Sequence, residues 1–227
     1  MALARACVDA GVRVEVVSGG MPVQPTSGPA VRVHQLEPVC SADLYFSAVV
    51  DSQGKPVTRQ LQQRRSKQLL DIFHDLKPKV LVTELFPFGR RRFRFELLPL
   101  LEVAKTQGTG VVCSVRDSIQ RRTADREAET VQFLRGYYQR VLIHGVNDFL
   151  PFSESFGKAG EIDDLLHYTG LVDTGPGTIP DLIEEGEIIV SAGGGAAGNA
   201  LYRCAVDAAV LSRYPDVRWR ILAGVTP

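Results

Sequence analysis

The sequence is poor in what a disulfide framework, a metal centre or a nucleic-acid surface would need. Its four cysteines, Cys7, Cys40, Cys113 and Cys204, are far apart and form no CxxC pair. That spacing excludes a zinc ribbon and a disulfide scaffold, and predicts reduced, mostly buried thiols of a cytoplasmic protein. The four histidines form no constellation with carboxylates or cysteines, so no metal site is expected. Lysine plus arginine and aspartate plus glutamate each total 26, so no global field draws in nucleic acid. No apolar run reaches the length of a membrane span. The apolar N-terminus is broken by Arg5 and Asp9, which excludes a signal peptide. Repeats and low-complexity segments are absent as well.

What is present is an alternation of apolar strands and amphipathic helices over 227 residues, enough for one large domain or one and a half smaller ones. A leading helix from Met1 to about Ala10 feeds a strand at Val12–Ser18, and Val31–Leu36 reads as a second strand. Leu61, Leu69, Ile72, Phe73 and Leu76 mark a helix between about Pro56 and Leu76. Val80–Thr83, Gly110–Ser114, Arg140–His144 and His167–Val172 read as further strands. Between them lie a helix over Arg92–Lys105, where Pro99 should kink it or mark a restart, and one carrying Ala124, Ala128, Val131, Leu134 and Tyr138. Residues 174–181 contain Gly175, Pro176, Gly177 and Pro180 and read as a linker between residues 1–173 and 182–227. The second part holds the strand ending at Ser191, a helix with Leu201, Cys204, Ala205, Ala208 and Leu211 inward, and the strand Trp219–Ala223.

This order predicts an α/β fold with a Rossmann-like parallel sheet covered on both faces, followed by the beginning of a second Rossmann-like domain. A doubly wound sheet should open on a strand rather than a helix, so the first strand of the N-terminal domain is expected to be missing. Ligands of such sheets bind at the carboxyl ends of the strands. Those ends carry Glu84, Ser114, Arg116, Asp117 and His144 in the first part, and Ser191, Gly193, Gly194 and Gly195 in the second. A glycine turn from a strand into a helix leaves N–H groups free where the helix dipole favours an anion, so a phosphate is the expected guest. It serves equally as a tight connection.

Thr83-Glu84-Leu85-Phe86-Pro87-Phe88-Gly89-Arg90-Arg91 followed by Phe95-Glu96-Leu97-Leu98-Pro99 resembles the signature of a bacterial predicted-glycosyltransferase family. Cys113–Asp117, Val141–Gly145, Tyr168–Gly170 and Val190–Gly195 agree with it in order and spacing. The family is similar to the N-acetylglucosaminyltransferase that completes the lipid-linked peptidoglycan precursor. The resemblance implies the GT-B architecture, two Rossmann-like domains facing across a cleft. It implies metal-independent transfer of a hexosyl group from a nucleotide sugar, a substrate rather than a cofactor, to a lipid-linked or small-molecule acceptor. By position, Ser191 and Gly193–Gly195 would approach the donor diphosphate, although Gly195 stands where the peptidoglycan enzyme has a serine. The family's Gly-x-Gly-His loop is not in this sequence, and its glutamate-bearing donor helix would fall beyond Pro227. The resemblance therefore implies a fragment, inactive or nearly so by itself.

Glu84, beside a Phe-Pro-Phe turn, is the first candidate base: aromatics would raise a carboxyl pKa toward the range a base needs. His144 is the second, the one histidine at a strand's carboxyl end. Arg90, Ser114, Arg116 and Asp117 would face the acceptor. The arginines at 90–94 could grip a phosphate or touch an anionic membrane peripherally; the alternative is a solvated helix start with Glu96 as partner. Ser114 or Asp117 could instead cap the following helix. A sugar-nucleotide epimerase and a non-catalytic nucleotide-sugar binding protein are the other functions open to such a cleft.

Overall fold

The computed structural model describes residues 2–22, 31–42, 48–116, 118–172, 186–192, 198–214 and 216–222. The chain divides into two compact units, Met1–Cys40 with Val50–Thr174, and Ser41–Val49 with Gly175–Pro227.

In the first unit, α1 (Ala2–Asp9) precedes β1 (Glu15–Ser18), which pairs in parallel with β2 (Arg32–Gln35). The three-residue strands β3 (Val39–Ser41) and β4 (Val49–Asp51), each divided between the two units, form a separate two-stranded sheet that no periodicity in the sequence marks. Next come α2 (Arg59–Leu76), β5 (Val80–Glu84), α3 (Arg94–Thr106), β6 (Gly110–Arg116), α4 (Ala124–Tyr137), β7 (Arg140–His144) and β8 (Leu166–Tyr168). The last four strands make one parallel sheet in the order β5-β6-β7-β8.

Local chemistry sets the ends of these elements. The Thr58 side chain caps α2 by accepting from the Leu61 N–H at 3.2 Å, and Lys77 closes it in the left-handed region ahead of Pro78. Pro99 lies inside α3, which runs on through it and forgoes one i→i−4 bond. Strand β8 is shorter than expected and stops before Gly170, whose φ of +74° leaves the extended region.

Successive neighbouring strands with right-handed crossovers put their connecting helices on the same side of a sheet. Accordingly Val111, Cys113, Val115, Val141 and Ile143 are buried with Leu100, Leu101 and Ala104 of α3, Val131 and Leu134 of α4, and Leu69 and Phe73 of α2. The opposite face corrects the expectation of a sheet covered on both sides. Val80 and Val82 are exposed there, and Val112 and Leu142 are only half-buried. The thiols also depart from expectation: Cys113 is buried, but Cys40 and Cys204 are exposed.

In the second unit β9 (Ile188–Ser191) pairs in parallel with β10 (Trp219–Leu222), and α5 (Asn199–Val210) lies between them in sequence. Of the expected inward stripe only Ala205 is buried, whereas Leu201, Cys204, Ala208 and Leu211 are exposed. Among the described residues this unit has two strands, which offer a helix too little surface to bury a full stripe. Among the described residues no helix is long and apolar enough to cross a membrane.

Candidate active site

The register of the four-stranded sheet sets Glu84 beside Ser114 and Arg116 beside His144 at the carboxyl ends of the strands. Residues paired across parallel strands share a face, so these side chains leave the sheet on its open side. Four of the expected residues, Glu84, Arg90, Ser114 and His144, and one unexpected one have defined partners there.

Ser114 Oγ lies 2.7 Å from His144 Nε2, and His144 Nδ1 lies 2.9 Å from Thr169 Oγ1. The neighbouring carbonyls favour one assignment of the protons. The Thr169 hydroxyl has two carbonyls to donate to, Gly170 at 3.1 Å and Ile143 at 3.3 Å, the latter already accepting the N–H groups of Gly145 and Thr169. Thr169 Oγ1 therefore accepts from Nδ1–H, and Nε2 keeps a lone pair that accepts from Ser114. Partial burial holds the imidazole below the ordinary histidine pKa, which favours the same neutral form. The result is a neutral imidazole with a hydroxyl partner at each ring nitrogen. Thr169 was not among the expected site residues. It lies 25 positions from His144, and only the pairing of β7 with β8 brings the two together.

Glu84 does not sit against aromatic rings as expected. Its side chain is 77% exposed and pairs with Arg90 at 3.1 Å. The Phe-Pro-Phe turn faces the other way: Phe86 and Phe88 are buried, with Phe88 edge-on to Phe152 and Phe156. Buried hydroxyls of Thr83 and Tyr138 lie 2.9 and 3.0 Å from the Phe86 carbonyl and pin this loop to the core. The Phe86–Pro87 peptide is cis, and Leu85 and Arg90 at the loop's ends have φ of 65° and 53°. Glu84 is thus an exposed side chain held by a neighbouring guanidinium, whereas His144 is half-buried with a hydroxyl partner at each ring nitrogen.

Arg116 is exposed at the end of β6. Asp117 lies outside the described residues, as do Gly193, Gly194 and Gly195 and the linker at 174–181. Ser191 ends β9 at an exposed position of the second unit. Cys113 is no nucleophile, because burial pushes its thiol well above the ordinary range. Glu96 does not serve the neighbouring arginines. It is buried with Arg65 of α2, and Arg91 and Arg94 instead share Glu129 of α4.

Compared with known proteins, the chain matches no family model, no curated protein and no solved structure.

Proposed function

We propose that this chain handles nucleotide sugars within a GT-B glycosyltransferase and that His144 takes the proton from the acceptor hydroxyl. The observation that carries this reading is the Ser114–His144–Thr169 chain: a neutral imidazole, its Nε2 lone pair already engaged with a hydroxyl, on the open face of a parallel sheet. An acceptor alcohol replaces the Ser114 hydroxyl at Nε2, gives up its proton there, and attacks the anomeric carbon as the nucleoside diphosphate leaves. Gly193, Gly194 and Gly195 lie outside the described residues and keep only the donor-diphosphate role that the family resemblance implies. Arg90 and Arg116 serve the acceptor side, and the Glu84–Arg90 pair supplies no base. The reading implies a cytoplasmic protein whose donor is consumed as substrate.

The test uses a panel of UDP-, GDP- and dTDP-sugars. Binding is followed by ligand-observed NMR, and turnover by release of nucleoside diphosphate. At least one class should bind, H144Q should retain that binding, and any release the wild type shows should fall by about a hundredfold or more in H144Q, the usual worth of a general base. No binding by any donor, or full release from H144Q, would overturn the proposal.

A further inference from the structure

Ser114 is more than a placeholder for an incoming alcohol. Its hydroxyl donates to His144 Nε2 at 2.7 Å, and the far ring nitrogen donates to Thr169 Oγ1 at 2.9 Å. A hydroxyl bonded to a base, with the base oriented by a third group, is the arrangement that makes serine a nucleophile. The orienting group need not carry a charge, since a neutral amide fills that place in some cysteine proteases. Here β6, β7 and the end of β8 hold the three groups side by side.

The neighbours of Ser114 on the open face divide by polarity. Val112, two residues earlier on β6, and Leu142, the register partner on β7, are apolar and half-buried. Arg116, two residues later, is exposed, and Glu84, the register partner on β5, holds Arg90 at 3.1 Å. An ester laid over Ser114 therefore meets apolar surface for a short hydrocarbon acyl group on one side. On the other side it meets guanidinium groups, which suit the oxyanion that develops during acyl transfer. The open face admits the water that completes a hydrolysis.

We infer that Ser114 is a nucleophile and that this face hydrolyses short-chain carboxylic esters through an acyl-serine, an activity separate from sugar transfer. Ser114 Oγ bonds to the carbonyl carbon as its proton passes to His144 Nε2. The tetrahedral intermediate then breaks its bond to the leaving oxygen, which takes that proton and departs as the alcohol. Water attacks the acyl-serine and gives a proton to Nε2. The bond to Ser114 breaks, its oxygen recovers the proton, and the carboxylic acid leaves. Thr169 keeps the imidazole lone pair turned toward Ser114 and is a positioning residue.

Two probes test this on the full chain: diisopropyl fluorophosphate, which phosphorylates an activated serine as fluoride leaves, and para-nitrophenyl butyrate. Peptide mass spectrometry should place the diisopropylphosphoryl group on Ser114. S114A should lose that label and lower butyrate turnover by about a hundredfold or more, with the wild-type circular dichroism and melt. S114C keeps a nucleophile at the position and should restore turnover in part. H144Q should slow labelling by about a hundredfold or more. T169V should slow it by about tenfold, and T169S, which returns the hydroxyl, should recover the rate. An unlabelled Ser114, turnover equal in the wild type and S114A, no recovery in S114C, or labelling indifferent to H144Q would overturn the inference. Neither probe is a nucleotide sugar, so this result and that of the donor panel stand or fall separately.

Discussion

Arg65 and Glu96 form a two-pronged ion pair, Nε to Oε2 and Nη2 to Oε1 at 2.9 Å each, with side chains 1% and 6% exposed. The remaining nitrogen, Nη1, donates to the carbonyls of Gly19 and Glu37 at the exits of β1 and β2. One guanidinium of α2 thus ties the small β1–β2 sheet to α3, which packs on the four-stranded sheet. Removing a buried charge's partner is costly because the remaining charge stays unsolvated. R65M should destabilise the protein by about 3–5 kcal/mol in urea unfolding. R65M/E96L should recover only part of that loss, since the Gly19 and Glu37 carbonyls still lack their donor. An R65M cost below about 1 kcal/mol would show that the pair is not a structural tie.

That pair also marks how far the sequence was legible. Leu61, Leu69 and Phe73 revealed the buried stripe of α2 by their spacing. Arg65 fills the missing i+4 position of the same stripe, but a charged residue there carries no signature of burial. The strands at 80–84, 110–116 and 140–144 were readable because continuous apolar runs ending in polar residues are what parallel strands require. Their one-sided burial was not readable, for valine is equally at home on a covered or an open face. In the site, Ser114 and His144 announced themselves by their places at strand ends. Thr169 did not, since a threonine near a strand end has many structural uses and its contact with His144 depends on register.

The pH response of His144 has a definite sign. Burial lowers its folded pKa, so as pH falls the unfolded chain takes up this proton before the folded one. The contribution of the neutral Ser114–His144–Thr169 chain is complete above about pH 6.5 and is lost as pH falls through the folded value. NMR titration of the imidazole should give a midpoint below 6.5, and any turnover should show an acid limb at that midpoint. A midpoint at or above the ordinary histidine value would contradict the burial described here.

Thr169 should act on His144 by positioning it. In the wild type, nitrogen-resolved NMR should find the proton mainly on Nδ1 at neutral pH, the state set by the Thr169 oxygen. T169V keeps the shape of the side chain and removes that acceptor. It should give a mixture of tautomers and cost about 1 kcal/mol of stability. S114A should leave the Nδ1 proton in place, because it removes only the donor to Nε2. If T169V keeps the pure Nδ1–H form, the tautomer is set by something other than this hydroxyl.

The open face and free edge of the four-stranded sheet predict self-association. Among the described residues β5 pairs only with β6, so its other edge presents unpaired backbone groups. Val80 and Val82, 54% and 48% exposed, leave apolar surface beside that edge, and no charge interrupts the strand before Glu84. Natural edges of this kind are usually blunted by lysine, proline or a bulge, and β5 has none of these within it. Two copies can meet edge to edge across a two-fold axis, each β5 pairing antiparallel with the other. Sedimentation velocity over a concentration series should therefore show reversible dimers. V82K puts a charge on the open face without touching the buried one, and should weaken that association by about tenfold or more with little change in the melt. A wild-type chain that stays monomeric at high concentration would mean that the edge is covered in solution.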